Sequence, residues 1–330
     1  MTGPASAKPV LGVENLHVWF GLEGGGELHA VQGVSFELGQ GERLGLVGES
    51  GCGKTTSILA LMGLLPANAS VAGRVLLDGV DVLERGEDSV SRHRWRDVAM
   101  VFQGAMNAFN PVKRIRDQIA EPMKVHGIAE GKAARRQVGE LLELVGIARD
   151  RADRYPHEFS GGMRQRAAIA MALACKPKVL LADAPTTALD VMVQAQVLEL
   201  LVGLSTDLGL AVLLVTHDLP VVAQTCTRAA VMYAGRIAET GPVDALYHDP
   251  RHPYTRLLFA ATPDLHAHDA VASIPGTPPR LDQQLRGCPF QPRCDRAFDP
   301  CQTVRPALTR LGAGRAAACH LNDPATRAPS

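Results

Sequence analysis

One stretch, GESGCGKTT at residues 48–56, constrains this chain more than any other. It fits G-x-x-x-x-G-K-[ST] and lies between an apolar strand pattern at 44–47 and a helical pattern at 54–64. Strand, glycine-rich loop and helix in that order form the setting a phosphate cradle needs. Gly48, Gly51 and Gly53 free the backbone to turn its N–H groups inward around phosphate oxygens, with Ser50 between them. The helix N-terminus adds partial positive charge at the same point. Lys54 is expected to reach the β- and γ-phosphates of a nucleotide. Thr55 is expected to place its hydroxyl on Mg²⁺, and Thr56 to cap the helix or bond phosphate. A purely structural glycine turn is the plainer alternative. Cys52, inside the loop, reads as a bystander thiol or as a redox switch; the bystander is preferred because a side chain there need not touch nucleotide.

The remaining patterns predict an α/β chain. Strand patterns at 178–183, Ala211–Thr216 and Arg228–Tyr233 surround a helical pattern over Val191–Leu208, and this order predicts a parallel sheet. Ahead of the loop, strand patterns at 16–20 and 30–38, joined by the glycine-rich 21–26, predict a small antiparallel layer. Further short strands are expected at 74–77 and 98–102. Between 115 and 174 the period turns helical, with Val138, Leu141, Leu142 and Val145 on one face, so an inserted helical subdomain is expected over about 104–174. Beyond Gly241 the chain is rich in Pro, Arg and Cys, the texture of a small loop-rich domain needing outside stabilisation. The expected division is 1–240 and 241–330. No internal repeat is present.

Lys+Arg and Asp+Glu both number 34, so no bulk charge gathers a polyanion. The basic run SRHRWRD at 91–97 is short and reads as a solvated face, not a nucleic-acid contact. The longest apolar runs, 179–182 and 210–215, fall well below the ~20 residues that span a bilayer. The N-terminus carries only Lys8 and no apolar signal core, so neither a membrane span nor secretion is expected.

FSGGMRQR at 159–166 opens a helix after an exposed turn. Ser160, Gly161 and Gly162 present a hydroxyl and backbone N–H groups at a helix N-terminus, a second phosphate-binding surface. Together with the 48–56 loop, this segment resembles the signature motif of ABC-type ATPases, and the resemblance covers roughly residues 10–245. It implies a P-loop ABC ATPase core with an antiparallel β subdomain, an inserted helical subdomain and a small Cys-rich C-terminal domain. It also implies that the signature serves the ATP held by a second ABC ATPase subunit, two chains closing on two nucleotides. A helix cap followed by an amphipathic helix is equally true of the segment. By the same resemblance, Gln103 looks like the glutamine that senses Mg²⁺ and the membrane partner. Asp190 in TTALD looks like the aspartate at the dimer seam, and His217 like the histidine that contacts the γ-phosphate. Phe20 resembles the aromatic that stacks on adenine, with Trp19 as the alternative.

VLLAD at 179–183 is an apolar strand ending in Asp183, which suits a carboxylate that holds Mg²⁺ through water. In ATPases of this architecture a second carboxylate follows at once to orient and polarise the attacking water. Here that position holds Ala184. A methyl group can do neither, and general-base catalysis is typically worth about 10²–10⁴-fold. The chain is therefore expected to bind ATP but barely hydrolyse it. An engineered substitution and a naturally degenerate regulatory subunit both explain Ala184; the intact remainder of the site favours the first.

The segments IPGTPPRL, GCPFQPRC and ACH within 274–319, and TTALDVMVQAQVLELL at 186–201, resemble dipeptide and oligopeptide import ATPases, a group that includes some nickel importers. The resemblance implies two transmembrane permease subunits, an external substrate-binding protein, and a peripheral place on the cytoplasmic face of the membrane. A soluble ABC-type ATPase not tied to transport is the alternative; the coiled-coil insertion of repair proteins and the fused second unit of translation factors are both missing from this sequence. Cys288, Cys294, Cys301 and Cys319 cluster in the tail, whereas Cys52, Cys175 and Cys226 are scattered. Four thiolates make a full ligand set. Their spacings of five, six and seventeen intervening residues lack the tight bites of common zinc folds, and Cys288-Pro289 resembles the Cys-Pro step of ferredoxins. A [4Fe–4S] cluster is the first expectation, zinc with His320 in reserve the second, and unliganded thiols or disulfides the third.

Overall fold

The apolar runs become strands and the helical stripes become helices. The computed structural model describes residues 8–84, 86–104, 108–187, 189–261, 274–283 and 285–323. The first half runs β1 (Leu11–Gly21), β2 (Glu27–Leu38), β3 (Arg43–Val47), α1 (Lys54–Leu61), β4 (Ala69–Leu77), β5 (Val80–Asp81), α2 (Glu87–His93), β6 (Val98–Val101), α3 (Ile115–Val125), α4 (Gly131–Leu144) and α5 (Gly161–Ala172). There follow β7 (Val179–Asp183), α6 (Val191–Leu208), β8 (Ala211–Thr216), α7 (Leu219–Thr225), β9 (Arg228–Tyr233), β10 (Arg236–Pro242), α8 (Val243–His248), α9 (Pro253–Ala260), α10 (Pro300–Thr303), β11 (Thr309–Gly312) and β12 (Arg315–Ala317). Two compact units result: Met1–Leu11, Glu37–Arg43 and Leu76–Leu214 form one, and Gly12–Phe36, Leu44–Val75 and Val215–Ser330 the other.

In the first unit the strand order is β8-β7-β6. β6 and β7 run parallel, Val98 opposite Val179 through Val101 opposite Ala182. Both are buried along their whole length, which is why they read as unbroken apolar runs. Ile115, Ile119 and Met123 recur one turn apart on α3, and Ala134, Val138 and Leu142 on α4; with Ala167 and Ala170 of α5 they form a single core. Val138, Leu142 and Val145 of the expected stripe are in that core, and Leu141 packs partly buried at its edge. Helix α6, eighteen residues with mean hydropathy 1.3, is long and apolar enough to cross a membrane. Its stripe of Val197, Leu201 and Leu204 is consumed by this same core.

In the second unit β2-β1-β4 form one sheet, and β11-β12-β10-β9-β3 follow one another in a second. β3 pairs parallel with β9, Leu44 opposite Arg228 and Val47 opposite Val231. The two-residue turn Ala234-Gly235, with φ of 48° and 79°, folds β10 back on β9, both residues in the region that tight hairpins use. The tail, expected as a loop-rich piece, returns to this sheet: β12 pairs antiparallel with β10, Glu239 opposite Ala317 and Thr240 opposite Ala316. Glu239 is fully buried there, accepting the N–H groups of Arg251 (2.8 Å) and His252 (2.9 Å) with the Arg315 guanidinium 3.5 Å away. Burial raises its pKa and these donors oppose the rise. A buried carboxylate supplied with donors in this way holds the connection after α8 against β10 and β12.

Candidate nucleotide-binding site

Phe20, the 48–56 loop and His217 belong to the second unit; Gln103, Ser160, Gly161, Gly162, Asp183, Ala184 and Asp190 belong to the first. In the loop, Gly48 has φ 151°, and a Cβ there would lie 2.2 Å from the Met232 carbonyl oxygen and 2.9 Å from Cys52 Sγ. Only glycine lets the chain leave β3 this close to β9. Helix α1 begins at Gly53 with no side chain capping it, so its first-turn N–H groups face outward as anion donors. Lys54 Nζ donates to the carbonyls of Gly48 (2.6 Å) and Glu49 (2.9 Å) and rests 3.6 Å from Cys52 Sγ. Two neutral carbonyls leave its charge uncompensated, which suits a phosphate. Burial pushes the Cys52 thiol up, with Lys54 opposing; a buried, protonated thiol is inert, and Cys52 fills space beneath Gly48.

Trp19 and Phe20 are separated by the pleat of β1, which points neighbouring residues to opposite faces. Trp19 stacks on His29 (4.6 Å between ring centres) and on His17 (5.3 Å), and His17 Nδ1 meets His29 Nε2 at 3.0 Å. Burial holds both imidazoles below their ordinary pKa. The Trp19 face is thus occupied by its own stack, while Phe20, half-buried, lies on the other face. His217 follows β8 as an exposed residue ahead of the α7 cap, Asp218, whose N–H donates to Thr216 Oγ1 at 3.0 Å.

In the first unit Asp183 ends β7 and is 3% exposed. Ala184 follows with φ 41°, a left-handed conformation in which a non-glycine residue stores strain. Its carbonyl accepts the N–H of Thr187 at 3.1 Å. Gln103 stands exposed two residues beyond β6. Ser160 caps α5, its hydroxyl accepting from Met163 N at 3.3 Å, and Asp190 caps α6, accepting from Val193 N at 2.9 Å. The two caps converge: a Cβ on Gly162 would lie 2.4 Å from Cγ1 of Val193. The glycine of the signature segment is thus required by the helix that Asp190 begins. Asp183, buried at a strand end, has the hard oxygen chemistry that Mg²⁺ takes.

All four tail cysteines are free thiols, as are Cys52, Cys175 and Cys226. Burial pushes Cys288 up to about 11 and Cys319 up to about 12, and raises Cys294. A smaller part of each rise comes from the other tail cysteines. Opposing it, backbone N–H groups point at the sulfurs: Phe290 and Gln291 at Cys288, Arg296 at Cys294, Leu321 at Cys319. N–H donors on thiol sulfur are the outer-shell support that thiolate ligands use. The donor chemistry therefore fits a metal group. The arrangement does not: among the described residues no three His, Cys, Asp or Glu side chains stand where they could hold a metal ion. This corrects the expectation of a preassembled four-sulfur set for [4Fe–4S] or zinc. His320, the reserve ligand, places its Nε2 2.9 Å from the Val304 carbonyl.

Sequence reasoning missed Glu49, Tyr254 and Arg293, which meet at the phosphate loop. Arg293 lies 244 positions from Glu49, and no local pattern joins them; the only hint was an acidic residue inside a phosphate-binding loop.

An ABC transporter family model matches residues 31–187, and the model of the C-terminal region of oligopeptide/dipeptide transporters matches 238–301. A dipeptide transport ATP-binding protein of Bacillus subtilis is 45% identical over 96% of this chain and 96% of its own length. An oligopeptide transport ATP-binding protein of Escherichia coli is 43% identical over 95% of this chain and 93% of its own. A dimeric ATP-binding cassette solved in a post-hydrolysis state with ADP and Pi aligns with TM-score 0.62 and 27% identity, covering 71% of this chain and 98% of that one. With loop, carboxylate strand and signature helix placed on that fold, this chain belongs to the dipeptide/oligopeptide branch of the ABC transporter ATP-binding proteins.

Proposed function

We propose that the chain is the ATP-binding motor subunit of a peptide importer, working on the cytoplasmic face of a membrane beside a second ABC ATPase subunit and two permease subunits. An external binding protein delivers the peptide. The observation that carries this reading is the uncapped N-terminus of α1 beside Lys54 in a chain whose tail matches the oligopeptide/dipeptide transporter C-terminal region. Gly48, Ser50, Gly51, Gly53, Lys54 and Thr56 cradle the phosphates, Phe20 stacks on adenine, and His217 meets the γ-phosphate. Thr55, Gln103 and Asp183 hold Mg²⁺, which when bound screens the phosphate oxygens. Ser160, Gly161, Gly162 and Asp190 serve the nucleotide of the companion subunit. The ATPase domain ends near residue 240, with the helical subdomain at about 104–174 and the transporter-type tail from 241.

Ala184 leaves water at this site without a carboxylate, so the chain binds MgATP and holds it. Restoring the carboxylate by Ala184→Glu and measuring phosphate release in the assembled complex tests this. An inactive variant there would remove the support for a site disabled by one missing side chain.

For Cys288, Cys294, Cys301 and Cys319 we keep the reading of a ligand set for a [4Fe–4S] cluster, with zinc second; since no three described side chains stand where they could hold a metal ion, loading would have to draw the sulfurs together, and the group would then supply the cross-link that a small core lacks. The N–H groups aimed at the sulfurs of Cys288, Cys294 and Cys319 support this reading. Because the thiol pKa values of Cys288, Cys294 and Cys319 are raised, loading must displace protons and strengthens with rising pH. Anaerobically purified protein is expected to carry acid-labile sulfide and visible absorption. Colourless protein with stoichiometric zinc would sink the cluster.

A further inference from the structure

Arg293 lies within the four-cysteine segment, one residue before Cys294, yet its guanidinium is spent on the phosphate loop. Nη1 and Nη2 donate to the two carboxylate oxygens of Glu49 at 2.7 and 3.0 Å, a bidentate pair in which the Arg293 side chain is 4% exposed. Nε donates to the Pro275 carbonyl at 2.7 Å, and Nη1 also donates to the Tyr233 hydroxyl at 3.3 Å. The Tyr233 and Phe290 rings lie 5.8 and 5.9 Å from the guanidinium carbon. This geometry uses the planar fork that distinguishes arginine from lysine.

Glu49 is held at three points. Its carboxylate is on Arg293, its N–H donates to the hydroxyl of fully buried Tyr254 at 3.0 Å, and its carbonyl accepts from Lys54 Nζ at 2.9 Å. Glu49 is the residue after Gly48, so its peptide plane fixes where the loop turns away from β3. A loop that binds phosphate through backbone N–H groups gains affinity from being held in the bound shape beforehand. The Cys288 N–H donates to the Cys301 carbonyl at 2.8 Å, and the Arg293 N–H to the Phe290 carbonyl at 3.0 Å. The placement of Arg293 thus depends on the fold of the cysteine segment.

We propose that Arg293 is a positioning residue for the phosphate-binding loop, and that nucleotide binding at Lys54 and the folding of the 286–303 segment are thermodynamically linked through its bidentate pair with Glu49. Linkage is reciprocal: whatever orders the segment tightens nucleotide binding, and nucleotide orders the segment by the same factor. The inference rests on the loop being the nucleotide site.

The test uses the full chain, a fluorescent ATP analogue with Mg²⁺, and amide hydrogen exchange. Arg293→Met should weaken the nucleotide by roughly 10–100-fold, less than the loss on breaking a fully buried pair because the Glu49 side chain is 25% exposed. Arg293→Lys, keeping charge without the fork, should fall between. In the unsubstituted chain MgATP should slow amide exchange across 286–303; in Arg293→Met at saturating nucleotide that slowing should vanish. A merely structural role would leave the transfer of protection intact in any variant that still binds. If Arg293→Met does not fold, Glu49→Gln, whose side chain is 25% exposed, carries the same two measurements. Unchanged nucleotide affinity, or persistent protection of 286–303, in whichever variant folds would overturn the linkage. An unsubstituted chain that binds no MgATP would overturn the site reading and this one together.

Discussion

Strands β3 and β7 are each five residues long, and each is followed at once by a residue of positive φ, Gly48 at 151° and Ala184 at 41°. In the proposed site, the chemistry at the end of β3 belongs to the backbone: glycines, N–H groups and a helix start. At the end of β7 it belongs to side chains, Asp183 and whatever occupies position 184. A backbone site is policed by sterics, because a wrong residue does not fit. A side-chain site is not: with Ala184 in place, β7 still pairs with β6 in full register and keeps its positive φ. The pairing of β7 therefore does not depend on a carboxylate at position 184.

The largest effect expected from this contrast is at position 184. Ala184→Glu should raise phosphate release by about 10²–10⁴-fold under saturating MgATP in the assembled complex. Stability should change by no more than about 1 kcal/mol, as at partly exposed sites outside a core. A large loss of stability in chemical unfolding would break the comparison, since the β7 end would then be sterically policed as well.

Gly48→Ala should do the opposite. Its Cβ would stand 2.2 Å from a backbone oxygen that has no flexible end to move. Overpacking and backbone strain together predict a loss of about 4 kcal/mol, seen as a lower denaturant midpoint, with nucleotide binding lost alongside. A variant within about 1 kcal/mol of the parent would show that the turn relaxes easily.

That contrast also explains what was legible. The 48–56 loop, the signature segment and the Val138/Leu142/Val145 stripe are local: each motif is carried by neighbours in sequence whose spacing is fixed by strand or helix geometry. The β11–β12 return was not legible, because β11 is a four-residue strand of mostly exposed positions and β12 has only three residues, Arg315–Ala317, so neither carries an apolar run. Nor was the Glu49–Arg293 pair, made by chain ends far apart. The four tail cysteines fall between these cases: their composition was plain, but their arrangement depends on how the segment folds, and sequence spacing does not fix that.

Acid should separate the two strand ends further, through His252. Its ring is buried and its Nδ1 accepts the N–H of Tyr254 at 3.0 Å, the residue whose hydroxyl accepts the Glu49 N–H at 3.0 Å. Burial holds His252 down to about 4 from 6.5. The folded pKa is the lower one, so between these values the unfolded chain binds more protons, and stability falls as acidity rises. The contribution is fully present above pH 6.5 and lost as pH falls through about 4; at about 1.4 kcal/mol per pKa unit it amounts to about 3 kcal/mol. His252→Asn retains an acceptor and no titration, so its unfolding free energy should be flatter across this window. Hydrogen exchange near pH 5 should then show the loop after β3 opening before β7 in the parent, with that order weakened in His252→Asn. Loss of protection at both strand ends together would mean that His252 supports the whole fold and not the β3 end in particular.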